Sequence, residues 1–268
     1  MCLIVFAWRA HPDYPLVVAA NRDEFLARPA VPAHWWTDAP QLLAGRDLEA
    51  GGSWMGLART GRFAALTNYR DPSRRIEGAP SRGALVREAL SAEAGAHEVL
   101  QQLAGTSERY AAFNLLVGDG DSLGVLESTT GRVRMLAPGV YGLSNHLLDS
   151  PWPKLLKARQ GLAEALRALP AGTSTAPQQE DALNERLLSL LCDPRPAPDP
   201  HLPETGVSLE WERWLSPAFI RAPGYGTRCS SVVLFGRDGG VRFTEWTWDG
   251  HGELDREVSH RFHVARRA

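Results

Sequence analysis

Residues 2–25 constrain the fold more than any other stretch. Cys2-Leu3-Ile4-Val5-Phe6-Ala7-Trp8 is a continuous apolar run of strand length, and Leu16-Val17-Val18-Ala19-Ala20 is a second. The turn-forming His11-Pro12-Asp13-Tyr14-Pro15 separates them. Turn-bounded, β-rich runs of this length read as buried strands. The second run ends in four polar residues, Asn21-Arg22-Asp23-Glu24. If the two pair as a hairpin, the start of the first lies beside the end of the second. Cys2 and the polar tetrad then share one end of a sheet.

Further along, 53–58 and 63–68 flank Arg59-Thr60-Gly61-Arg62 as a second hairpin, which ends on Asn68. Residues 81–104 carry helical spacing in Leu85, Ala89, Leu90, Val99, Leu100 and Leu103, with Ser81 as N-cap and Gly95 dividing two helices. Strands follow at 113–118, 122–128, 132–137 and 140–144, the last running into Asn145. Pro151-Trp152-Pro153 opens a helix to about Leu169, and 178–191 forms another. The stretch around Pro29, Pro32 and Pro40, and the Pro-rich 193–217, read as loops, with Trp211 and Trp214 anchoring the second. Strands at 218–222, 228–236, 241–248 and 260–265 close the chain. Helices inserted in pairs between hairpin sets argue against a βαβ parallel sheet. The order fits an α+β fold in one domain spanning 1–268. Its architecture is a four-layer αββα sandwich: two antiparallel sheets packed together, a helix layer outside each.

Composition narrows the function classes. Apolar residues make up 44% of the chain, enough for a sizeable core. With 29 Lys+Arg against 31 Asp+Glu, net charge is −2, which points away from nucleic-acid and polybasic membrane partners. No window approaches the ~20 apolar residues of a spanning helix. The first run is too short for a secretion signal. Three cysteines make no disulfide framework, so a reducing, cytoplasmic setting is expected. The histidines lack zinc-type spacing, and there is no phosphate loop. No metal or obligatory cofactor is expected.

Cys2 is the candidate nucleophile. Removal of Met1 would leave a thiol and an α-amino group on one residue, so that the amine can take the thiol proton. Asp23 beside Arg22 can orient an amine or a substrate. Alternation places Arg22 on the face of Ala20, and Asp23 on the face of Asn21, a substrate-binding candidate. Asn68 and Asn145, each at a strand end, could donate to a developing oxyanion. Arg228, leading into Cys229-Ser230-Ser231, could hold a carboxylate. Trp35, Trp36 and Trp54 could line a ligand groove.

With those residues stated, the sequence resembles the NRDE family, also called the transport and Golgi organisation protein 2 family. The resemblance rests on Met1-Cys2, Asn21-Arg22-Asp23-Glu24, Gly51-Gly52-Ser53-Trp54 and Leu66-Thr67-Asn68-Tyr69-Arg70. Ser81-Arg82-Gly83, Phe113-Asn114-Leu115, Leu143-Ser144-Asn145 and Gly226-Thr227-Arg228 add to it. That family is similar to the N-terminal nucleophile (Ntn) hydrolases of the choloylglycine hydrolase and penicillin acylase-like branch. The resemblance implies an αββα fold with Cys2 as nucleophile. It implies roles for Asn21 and Asp23 in the polar run, for Asn68 and Asn145 as oxyanion and amine-orienting residues, and for Arg228. The Arg that begins the run in that branch falls on Ala20 here, with Arg22 two residues on. The implied activity is hydrolysis of an amide or thioester bond in a small acylated substrate. The alternative implied is a carrier of haem or a lipid-like ligand, with His34 and His146 nearest the groove.

Overall fold

The computed structural model describes residues 2–74, 76–172 and 177–264, with Cys2 and Arg74 described by their backbone alone. Met1, and with it the state of the terminal amine, lies outside the described residues. Among the described residues, fourteen strands and five α-helices follow in chain order. They are β1 Cys2–Trp8, β2 Leu16–Phe25, β3 Ala30–Trp35, β4 Leu42–Asp47, β5 Met55–Ala58, β6 Phe63–Asn68, α1 Gly83–Ser91, α2 Ala96–Ala104, β7 Phe113–Gly118, β8 Leu123–Glu127, β9 Arg132–Met135, β10 Gly139–Leu143, α3 Pro153–Arg167, α4 Pro177–Leu191, α5 Leu209–Leu215, β11 Arg221–Ala222, β12 Tyr225–Phe235, β13 Gly240–Trp248 and β14 Leu254–His263. No helix is long and apolar enough to cross a membrane among the described residues.

The chain packs as two compact units. Among the described residues, the first holds Cys2–Ala27, Pro138–Ser144 and Leu148–His263, and the second holds Arg28–Ala137, Asn145–Leu147 and Val264.

The first unit is a seven-stranded antiparallel sheet ordered β10-β1-β2-β12-β13-β14, with β11 on β12. The opening hairpin forms as the sequence predicts, and its register sets Cys2 across from Arg22 and Ile4 across from Ala20. One face is covered by α3 and α4. Leu3, Val5, Ala7, Val17, Ala19, Val232 and Leu234 meet Leu155, Leu162, Leu183 and Leu187 there. Each buried Val or Leu side chain there contributes about 1.5–3 kcal/mol. α3 starts at Pro153, whose fixed φ suits a first helical position and whose missing N–H costs nothing there.

The second unit is a meander, β3 through β9 in sequence order, covered on one face by α1 and α2. Gly95 divides the helices, as expected, and Asp119 caps α2 by accepting from Ala96 N at 2.7 Å. Two readings are corrected. The proline-punctuated stretch is not loop, because it holds β3 and β4. Pro32 falls where the ladder shifts register between Val31 and His34 on an edge strand, so its missing N–H breaks no bond. Likewise 193–217 contains α5, where Ser208 Oγ accepts from Trp211 N at 3.4 Å and Trp211 packs edge-on to Trp214 and Tyr225.

Candidate functional site

β2 sorts its polar tetrad onto two faces. Asn21 points to the helices and is 1% exposed. Its Nδ2 donates to Leu191 O and Ala218 O, both at 2.8 Å, and its Oδ1 accepts from Ser230 Oγ at 2.6 Å. That amide is committed to holding α4 and the segment following α5, so the structure places Asn21 as a strut and not in a substrate pocket. Asp23 lies on the same face, 1% exposed, with Oδ1 accepting from Thr227 Oγ1 at 2.7 Å. Its carbonyl accepts from Tyr225 OH at 2.9 Å. Thr227 also lines a cavity of about 230 Å³ with Leu26, Tyr225 and His251, and its hydroxyl bonds both the Asp23 carboxylate and the Ile220 N–H.

Arg22 lies on the opposite face, 6% exposed, in register with Cys2 on one side and Cys229 on the other. Between Thr227 and Cys229 the β2–β12 ladder carries a bulge, and Arg228 is the extra residue. A bulge re-aims the side chain it carries. Arg228 donates from Nη1 to Phe25 O at 2.9 Å. Burial pulls the Arg228 guanidinium below its ordinary range, the charge of Arg22 adds to this, and Cys229 and Glu24 act against it. Two guanidinium groups therefore act on one another at the end of the sheet where β1 begins. Such a field favours a thiolate or an oxyanion.

Sequence reasoning missed Thr227, Tyr225 and Glu245. Glu245, 1% exposed, accepts from Ser231 Oγ at 3.2 Å on the same sheet face as Arg22. The available signal was a carboxylate inside the strand pattern Val241-Arg242-Phe243-Thr244-Glu245-Trp246.

In the second unit the strand ends of β6 and β7 carry a buried polar cluster. Asn145 is fully buried and its Nδ2 donates to Asn68 O at 2.8 Å, while Arg70 N donates to Asn145 O at 2.7 Å. Asn114, also fully buried, donates from Nδ2 to Thr67 Oγ1 at 3.0 Å and to His146 O at 2.8 Å. Residues 145–147 are thereby hung on β6 and β7. Of the two expected oxyanion donors, Asn145 is a buried tie, and Asn68 is the one that stays part-exposed.

The tryptophans do not gather in one groove. Trp36 is 1% exposed in the helix-side core, with Nε1 donating to Ala44 O at 3.0 Å. Its neighbour Trp35 turns away under the Arg59 guanidinium, 3.8 Å from the ring centre. Trp54 lies flat on Gly45, where a Cβ would stand 2.3 Å from the ring.

The histidines weighed for haem are His34, whose Nδ1 sits 2.8 Å from Pro32 O, and His146, whose ring packs 5.0 Å from that of Tyr69. Burial pulls His146 below the usual imidazole range, against the pull of Glu127. Neither contact selects an axial ligand. No three His, Cys, Asp or Glu groups converge as a metal site among the described residues. Cys192 and Cys229 are free thiols.

The family profile described as Transport and Golgi organisation 2 matches residues 1–250. A Transport and Golgi organization protein 2 homolog from Bos taurus is 38% identical over 268 residues, covering 91% of this chain and 92% of its own. The homolog from Homo sapiens is 32% identical over 289 residues, covering 97% and 96%. Among solved structures, the conjugated bile acid hydrolase from Clostridium perfringens, as its C2A mutant, superposes with a TM-score of 0.52. It is 9% identical and covers 97% of this chain and 92% of its own, a likeness of fold to an Ntn hydrolase.

Proposed function

The chain belongs to the Transport and Golgi organisation 2 family, and from that premise we propose that it is an N-terminal-cysteine hydrolase of amide or thioester bonds in small acylated substrates. The observation that carries this is the register of Cys2 against Arg22, with Arg228 bulged out beside it. The solved neighbour of the same fold also had its cysteine at position 2, replaced by Ala in the C2A form. With Met1 removed, the α-amino group of Cys2 accepts the Sγ proton as Sγ bonds to the carbonyl carbon. The field of Arg22 and Arg228 stabilises the negative charge that passes from sulfur to oxygen. The C–N bond then breaks, and the leaving nitrogen takes the proton back from the ammonium. Water hydrolyses the thioester that remains. Thr227 holds the Asp23 carboxylate in place throughout.

The test starts with intact mass, where loss of Met1 is expected. Wild type and Cys2→Ala are then incubated with a panel of N-acyl amides and thioesters. Turnover by the wild type, at least ~100-fold above Cys2→Ala, is expected, since the nucleophile is covalent. Equal, background rates for both with no acyl adduct on Cys2 by mass spectrometry would overturn the reading.

A further inference from the structure

In the first unit, α3 and the segment that leaves α4 border a second cavity, of about 250 Å³. Arg22, Asp23 and Arg228 do not line it. Its charges are lopsided. Among the described residues, Lys154, Lys157 and Arg195 line it against a single acid, Asp193. Lys154 is buried, and its ammonium donates to Leu215 O at 2.8 Å. Pro153 and Lys154 both line the cavity and open α3, whose first turn holds no acid. The positive end of the helix dipole therefore adds to the cations.

Asp193 already shows how this surrounding treats a carboxylate. It accepts from the Lys157 ammonium and from Arg195 Nε, the latter at 2.8 Å. The Arg195 bond, aided by Lys157 and opposed by burial, holds its carboxyl at about 2, below the usual carboxylate range. The rest of the lining is apolar and held in place. Ala158 and Ala218 are buried, and Leu190 packs on the same core. Pro196 and Pro198 have their φ fixed by their rings, and Ala197 N between them donates to Ser216 Oγ at 3.0 Å. A wall ordered beforehand spares a ligand the cost of ordering it. The volume falls below the ~300–1,000 Å³ of drug-sized sites, which selects a small occupant.

We propose that this cavity binds a short-chain organic carboxylate, its head drawn to Lys157 and Arg195 and its aliphatic tail lying against Ala158, Leu190 and Ala218. A bare inorganic anion leaves the apolar lining unused, and a cationic ligand meets three like charges. Asp193 competes with the ligand for the same two cations. The inference stands independently of the hydrolase reading.

An NMR titration of the isotopically labelled full chain with sodium hexanoate at low salt tests it, with circular dichroism to confirm that each variant folds. Saturable shifts are expected at the amides of Lys154, Lys157, Ala197 and Ser216. Hexanoate should bind at least ~10-fold more tightly than acetate, which lacks the tail, and more tightly than hexylammonium, which has the wrong sign. Added NaCl should weaken it. K157E, at an exposed position, should weaken binding about fivefold or more, since it removes one cation and adds an anion. D193N should tighten it about fivefold, because the cations lose their internal competitor. A197W, which fills the cavity from a loop, should abolish it. The proposal is overturned by the absence of saturable shifts at those amides, by hexylammonium binding as well as hexanoate, by an affinity indifferent to K157E, by weaker binding in D193N, or by binding that survives A197W.

Discussion

Asn21 and Arg22 are neighbours in sequence with opposite employment. Asn21 spends its amide on Leu191, Ala218 and Ser230, while Arg22 faces away from the helices between the register positions of Cys2 and Cys229. Alternation was readable from sequence and correctly split the tetrad into two pairs. Which face carried the helices was not, because Asn21's partners lie some 170 to 209 residues away in the chain. Cys192 is the residue whose chemistry the structure sharpens most. Burial pushes its thiol from 9.0 up to about 11, with Arg221 pulling the other way. Because only the thiolate reacts, its reactive fraction at pH 8 is about a hundredfold below that of an ordinary thiol, and it grows as pH rises toward 11. Alkylation mapped by mass spectrometry should therefore modify Cys192 slowly in the folded protein at pH 8 and quickly after denaturation. Rapid modification of Cys192 in the folded protein would show that its burial is wrong.

At the level of elements, the connections were harder to read than the strands. β7 was legible to the residue, and the α1–α2 break fell at Gly95 as expected. β3 was hidden because its proline sits at a ladder irregularity, which no local pattern announces. α5 was hidden because prolines dominate the segment that leads to it. The glycine motifs gain a physical meaning together. Gly52 packs on Gly83, where a Cβ would come within 2.5 Å of a backbone carbonyl carbon, and Ser53 N donates to Gly83 O. Gly51 beside it has open space around it but a φ of +72°. Gly52→Ala must therefore move the start of α1, at a cost of about 1–3 kcal/mol. Gly51→Ala should cost about 1–2 kcal/mol, from conformational strain alone. Urea denaturation should show Gly52→Ala as the larger loss. The reverse order would mean that α1 yields freely.

Across the whole molecule the two sheets are built on different logic. The second unit pairs each strand with its neighbour in sequence, whereas the first unit joins β2 to β12 with residues 26–224 between them. Local pairings close small loops and form early, and distant ones wait on chain closure. Pulsed hydrogen exchange during refolding should thus protect amides of β4 to β8 before those of β2 and β12. Simultaneous protection of both sets would contradict this order. The same topology bears on the living cell. A ribosome delivers Cys2 and the Asn21–Glu24 tetrad first and Thr227 and Arg228 only near the end of synthesis. A product truncated before β12 carries Cys2 and Asp23 without the threonine that bonds the Asp23 carboxylate or the second guanidinium. Under the proposed hydrolysis, the site is complete only once translation has run past residue 228, and shorter fragments lack the chemistry it would supply.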